Sequence, residues 1–138
     1  MNRPAAGSAL LLFLLLGGCT TPAPLPDAAG SVLTGDWGGR GAALTLDTAG
    51  GRIEHDCAHG MLDAPLRPDA SGAFRVQGRH VREHGGPVRI DQPEQAQPAV
   101  YSGRATGGRM QLRVDIAGGG FGPFDLQRGQ PAQLVKCL

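Results

Sequence analysis

The chain of 138 residues lacks most of the features that announce a chemistry. Aromatic residues make up only 4% of it. That is too few for a dedicated surface on which bases or sugar rings stack. Trp37, Phe74, Tyr101, Phe121 and Phe124 are read as core. An excess of one charge is also missing. Thirteen Lys and Arg stand against twelve Asp and Glu. There is no electrostatic footprint for nucleic acid and no basic patch for anionic lipid. Lysine itself is nearly absent, with Lys136 the only one, which we read as composition bias. No apolar run reaches the roughly 20 residues that span a bilayer as a helix. No serine stands in a G-x-S-x-G context, so a nucleophile elbow is excluded. The glycine runs Gly38-Gly39-Arg40-Gly41 and Gly118–Gly122 lack the Lys-Ser/Thr of a phosphate loop and the strand-to-helix setting it needs. They are read as turns and bulges. No stretch has helical spacing bounded by caps, and no internal repeat is present.

What is present begins at the N-terminus. Arg3 is the one charge of a short leading segment. Ala9 to Leu16 is an apolar run, and the small residues Gly17 and Gly18 follow it. This is the three-part form of a secretory signal. With Cys19, the stretch Leu16-Gly17-Gly18-Cys19 resembles the lipobox of bacterial lipoprotein precursors. The resemblance covers about the first 20 residues. It implies cleavage before Cys19 and lipid on its sulfur and amino group. Several acyl chains would then anchor the protein stably, at about 0.8 kcal/mol per buried CH₂. Thr20 stands where inner-membrane retention in enteric bacteria has Asp, so the resemblance implies an outer-membrane, periplasm-facing address.

With Cys19 assigned to lipid, Cys57 and Cys137 remain as an even pair in an oxidising compartment, and a Cys57–Cys137 disulfide is expected. The alternative is two buried thiols. Residues 19–34, with prolines at alternate positions, read as a lipidated cysteine and an extended tether of up to roughly 45 Å. The expected organisation is a signal over 1–18, the anchor and tether over 19–34, and one domain over 35–138.

Within that domain the period is two. Leu44 and Leu46 alternate with Thr45, and Ile53, His55 and Cys57 alternate with Arg52, Glu54 and Asp56, giving a first hairpin. Met61–Leu66 is a third strand. Phe74 and Val76 start a fourth that reaches Val81. A fifth runs over 99–105. Met110, Leu112, Val114 and Ile116 define the sixth. Phe124 and Leu126 make a seventh, and Leu134–Leu138 an eighth carrying Cys137. Residues 83–98 are the longest irregular segment and count as functional or mobile on length alone. The fold class expected is all-β, a small antiparallel meander of about eight strands, barrel or sandwich. Gly35-Asp36-Trp37 resembles the Gly-x-Trp start of calycins, the lipocalin and avidin class of ligand-binding barrels. That resemblance implies an Arg late in the barrel packed across the Trp, here Arg128. The domain as a whole resembles small lipoproteins of Gram-negative bacteria, which implies no activity.

Two clusters carry metal-type donors. In Glu54-His55-Asp56-Cys57-Ala58-His59 a continuous strand would put His55, Cys57 and His59 on one face. His55 and His59 would then lie about 13 Å apart, too far to share an ion unless the strand breaks. His80-Val81-Arg82-Glu83-His84 has the letters of a zinc-peptidase motif but follows a strand rather than lying on a helix. Neither is assigned: no catalytic, cofactor or metal residue is expected. The favoured function is a non-enzymatic, lipid-anchored binding module for a small apolar ligand or an envelope protein. A structural envelope lipoprotein and a metal-binding or hydrolytic protein using His55, His59, His80 and His84 are the alternatives.

Overall fold

The computed structural model describes residues 28–86, 91 and 93–137. The expected signal, Cys19 and the expected tether as far as residue 27 lie outside the described residues. The described chain is all-β. In chain order the strands are β1 (Gly35–Gly39), β2 (Ala42–Leu46), β3 (Gly51–His55), β4 (Ala58–Leu62), β5 (Ala73–Arg82), β6 (Ala96–Thr106), β7 (Arg109–Ile116) and β8 (Gly119–Arg128). Each pairs antiparallel with the next, and β8 returns to β1 to close a barrel. Closure leaves no free sheet edge.

Alternation decides what is inside. Met110, Leu112 and Val114 of β7 are buried, and Gln111 and Arg113 face out. Phe74, Val76 and His80 of β5 follow the same rule. An eight-stranded barrel is just wide enough for its own side chains, and this one is filled by them. Tyr101 is fully buried and donates its hydroxyl hydrogen to the Arg79 carbonyl at 2.7 Å. It has room because Gly78 and Gly60 stand opposite. A Cβ on Gly78 would come 2.7 Å from Tyr101 Cε2, and one on Gly60 would overlap the Tyr101 hydroxyl. The far end is plugged by Leu33 and Leu66, both buried, with Leu33 N–H donating to the Leu66 carbonyl. The folded part therefore begins before Gly35, since Gly30 N–H donates to the Pro68 carbonyl and Leu33 is buried.

The count of eight agrees with the sequence reading, but the membership differs. Gly35–Gly39 is a strand that the glycines concealed. Phe124 and Leu126 belong to a longer β8. Leu134 to Cys137 is not a strand. After Arg128 the chain runs back as a strap along β1, with Gln133 N–H donating to the Gly39 carbonyl and Gly41 N–H to the Gln133 carbonyl. The strand expected over Met61–Leu66 is β4, over Ala58–Leu62, because the chain turns at Asp56–Cys57 and pairs His55 with Ala58. Cys57 sits in that turn at φ 58°, not in a strand. It is paired with Cys137 as the sequence leads one to expect, their Cα atoms 5.0 Å apart. The disulfide thus ties the strap to a hairpin tip, and β1–β8 pairing closes the barrel.

Candidate functional site

Two places on the barrel gather polar groups. The first is the end bounded by the β3–β4 turn and the β5–β6 connection. His55 is the last residue of β3 and shares the inward face with Ile53. His80 shares the inward face of β5 with Val76. Both are buried, at 1% and 0% exposure, and their ring centres lie 5.2 Å apart. Phe121 stacks on His80 at 4.9 Å and also meets His55 at 4.8 Å. Phe124 lies 5.7 Å from His55. Among the described residues, His55 Nε2 and both ring nitrogens of His80 have no hydrogen-bond partner. A buried polar atom left unpaired costs about 1–3 kcal/mol, so this arrangement calls for an explanation.

Burial and the adjacent His80 push His55 down to about 4, and burial with nearby Arg82 and His59 lowers His80. Both imidazoles are therefore neutral at ordinary pH and keep lone pairs to offer.

His59 is on the other side of the wall. The turn at Asp56–Cys57 reverses the chain, so His55 and His59 do not share a face as a continuous strand would place them. His59 Nδ1 lies 2.8 Å from Glu83 Oε1, and its Nε2 3.5 Å from Glu94 Oε2. It clasps both ends of the β5–β6 connection. Residues 87–90 and 92 of that connection lie outside the described residues. His84 is exposed. The zinc-peptidase reading of His80, Glu83 and His84 fails on geometry, since His80 is on a strand and points into the barrel while His84 stands outside it. Among the described residues no three His, Cys, Asp or Glu side chains gather as an ion site.

The second place is on the outer wall. Between the strap and the outward faces of β6, β7 and β8 runs an open groove of about 890 Å³. Gly38 makes it possible: a Cβ there would overlap the Gln130 carbonyl, so only glycine lets the strap lie against β1. Arg40, Arg104 and Arg109 line the groove with Gln127, Gln130 and Asp125. Arg104 donates to the Ser71 carbonyl at 2.7 Å, and Gln111 to Asp125 at 3.3 Å. Arg40 and Arg109 have no ion pair among the described residues. A smaller cleft of about 270 Å³ lies at the plugged end, beside Leu33 and Ser71. Alternation along β6 and β7 marks Arg104 and Arg109 as outward-facing, but nothing in the pattern shows that Gln130, Pro131 and Gln133 pass beside them to make a groove.

At the closing seam Arg128 lies over the Trp37 ring at 4.7 Å, the contact that the calycin resemblance implies. Comparison with protein families, with curated proteins and with solved structures found no match to this chain. What the fold and the two places define is a closed eight-stranded meander barrel with a packed interior and a polar groove on its wall.

Proposed function

We propose that this chain is a lipid-anchored, non-enzymatic module of the bacterial envelope that binds an envelope protein through its outer wall. The packed interior carries this reading. Tyr101, Met110, Leu112 and Val114 pack into one buried core inside the barrel, in the place where calycins hold a small apolar ligand. Binding then falls to the surface, and the groove has the character of a recognition site. Among the described residues Arg40 and Arg109 have no ion pair, and they stand beside Gln127, Gln130 and Gln133, which favours a partner that presents carboxylates. The lipobox-like Leu16-Gly17-Gly18-Cys19 supports anchoring through Cys19, and Thr20 supports the outer membrane.

The test uses the chain and its Arg40→Glu/Arg109→Glu variant, both expressed in a Gram-negative host. Crosslinking from a photoreactive residue at Gln127 should trap one defined envelope protein with the parent chain, and the charge reversal should lower its yield at least about tenfold. Equal yields would end the reading. So would saturable uptake of a fluorescent fatty acid at one per chain. Anchoring is tested separately, by palmitate incorporation that Cys19→Ala abolishes.

A further inference from the structure

The charge that balances over the whole chain does not balance over its surface. Alternation turns Arg75 of β5, Arg104 of β6 and Arg109 of β7 outward, and all three are exposed. The register of the barrel sets them in a row. Arg104 stands opposite Ala73, two residues from Arg75. Arg109 stands opposite Thr106, two residues from Arg104. Each step is a diagonal between neighbouring strands, about 7–8 Å long, and both steps slant the same way. The three lie on different strands, so no run of basic residues marks them in the sequence.

Nearby carboxylates do not neutralise the row. Among the described residues none of the three arginines has an ion pair. Arg104 donates to the Ser71 carbonyl at 2.7 Å, which holds its guanidinium in place. Asp69 is close enough to interact with Arg104 electrostatically, but its carboxylate already accepts from Ser71 and Ala73. Asp125 accepts from the Gln111 amide. Arg113, on the same wall, is held by Asp115 at 3.0 Å. Arg104 and Arg109 line the groove beside the strap, whereas Arg75 lies beyond its lining.

A guanidinium is a planar fork that takes a carboxylate through two parallel N–H···O bonds. In an extended peptide the side chains of one face recur about every 6.6–6.8 Å. That repeat matches the step of the row to within the reach of an arginine side chain. We propose that Arg75, Arg104 and Arg109 form a recognition strip for an acidic segment of the partner protein, bound extended with Asp or Glu at three alternate positions. This rests on the binding-module reading above and names the chemistry of its partner.

The purified chain, in detergent, is titrated with two fluorescent peptides of one composition. One alternates three Glu with Thr, and the other carries the three Glu as a block. The alternating peptide should bind at least about threefold more tightly, because in the block the middle Glu points to the other face. Arg75→Glu should weaken its binding at least about tenfold, since an attraction becomes a repulsion. Arg75 is exposed, so the fold is not at stake. Arg52→Glu, on β3, should change it by less than about twofold. Raising the salt from about 0.1 M to about 1 M shortens the screening length from about 10 Å to about 3 Å and should abolish binding. Equal affinity for the two peptides, or unchanged affinity in Arg75→Glu, overturns the proposal. So does sedimentation of the Cys19→Ala chain with phosphatidylglycerol vesicles that Arg75→Glu removes, which would assign the strip to a membrane surface. The groove reading fails separately. A crosslink from Gln127 that falls with Arg40→Glu/Arg109→Glu but survives Arg75→Glu would leave the groove standing and end the strip.

Discussion

Tyr101 is the only tyrosine in the chain, and its environment makes it a spectroscopic reporter of the folded barrel. Burial, with Asp63 adding to it, pushes its phenol up to about 12. The unfolded chain titrates at about 10. Between these values the unfolded state has lost the proton and the native state retains it, so the unfolded state binds fewer protons. Stability therefore falls as pH rises from about 10 to about 12, by something on the order of 2 kcal/mol. Tyrosinate absorbance should show the transition near pH 12 in the folded chain and near 10 in denaturant. Tyr101→Phe should cost about 1–3 kcal/mol at neutral pH, because the Arg79 carbonyl loses its donor, and should flatten the alkaline fall. A folded chain whose tyrosine titrates near 10 would show that the interior is wet. The inward place of Tyr101 agrees with its reading as a core aromatic. Its glycine partners were hidden, because Gly60 and Gly78 look like turn residues until β4 and β5 are set side by side. The histidines divide in the same way. His80 could be placed inside by counting from Phe74 and Val76. His59 could not be placed, because His55, Cys57 and His59 keep perfect alternation across a turn that lacks the usual Asn-Gly or Asp-Gly signal.

Among the elements, the strap behaves least like its sequence. Leu134 to Leu138 has the composition of a strand, yet Val135 is 69% exposed. The strap is held instead by named contacts. Val135 N–H donates to Asp56 Oδ1 at 2.7 Å, Lys136 Nζ lies 3.1 Å from Glu54 Oε2, and Cys137 meets Cys57. The Lys136 ammonium holds the Glu54 carboxyl below its usual range, but an exposed pair of this kind contributes little to stability. The disulfide dominates. It spans 80 residues, for which restriction of the unfolded chain is worth at most about 4 kcal/mol. Cys57→Ser/Cys137→Ser should lower the midpoint of urea unfolding by a corresponding amount. It should also raise protease cleavage within residues 130–137, since nothing covalent then holds the strap on β1. Unchanged stability after replacement or reduction would mean that the strap contributes nothing. β1 was hidden for the opposite reason: three of its five residues are glycine, and Trp37 alone faces inward. β7 was the most legible, because four large apolar residues alternate over its length without interruption.

For the whole molecule, the question is where a closed barrel is weakest. Seven of its eight strand contacts join neighbours in sequence. The eighth, β1 with β8, must bring together the two ends of the described barrel, and it does so through Trp37↔Arg128, Gly38↔Gln127 and Gly39↔Leu126 alone. β5 and β6, by contrast, pair from Ala73↔Arg104 to Val81↔Ala96. The seam is reinforced by Arg128 over Trp37, worth about 0.5–1 kcal/mol where exposed, and by the strap that covers Gly38. Amides buried in long ladders exchange through global unfolding, whereas those of short ladders exchange through local opening. Amide hydrogens of β1 should therefore exchange with solvent well before those of β5, β6 and β7. Reduction of the disulfide should speed exchange in β1 and the strap first, because the strap donates to Gly39 and accepts from Gly41. Arg128→Ala should speed exchange at the same seam and leave the β5–β6 ladder as it was. Uniform exchange across all eight strands in every variant would mean that the barrel opens only as one unit. In that case the groove beside the strap is as rigid as the core, and the partner proposed for it meets a preformed surface rather than a seam able to loosen.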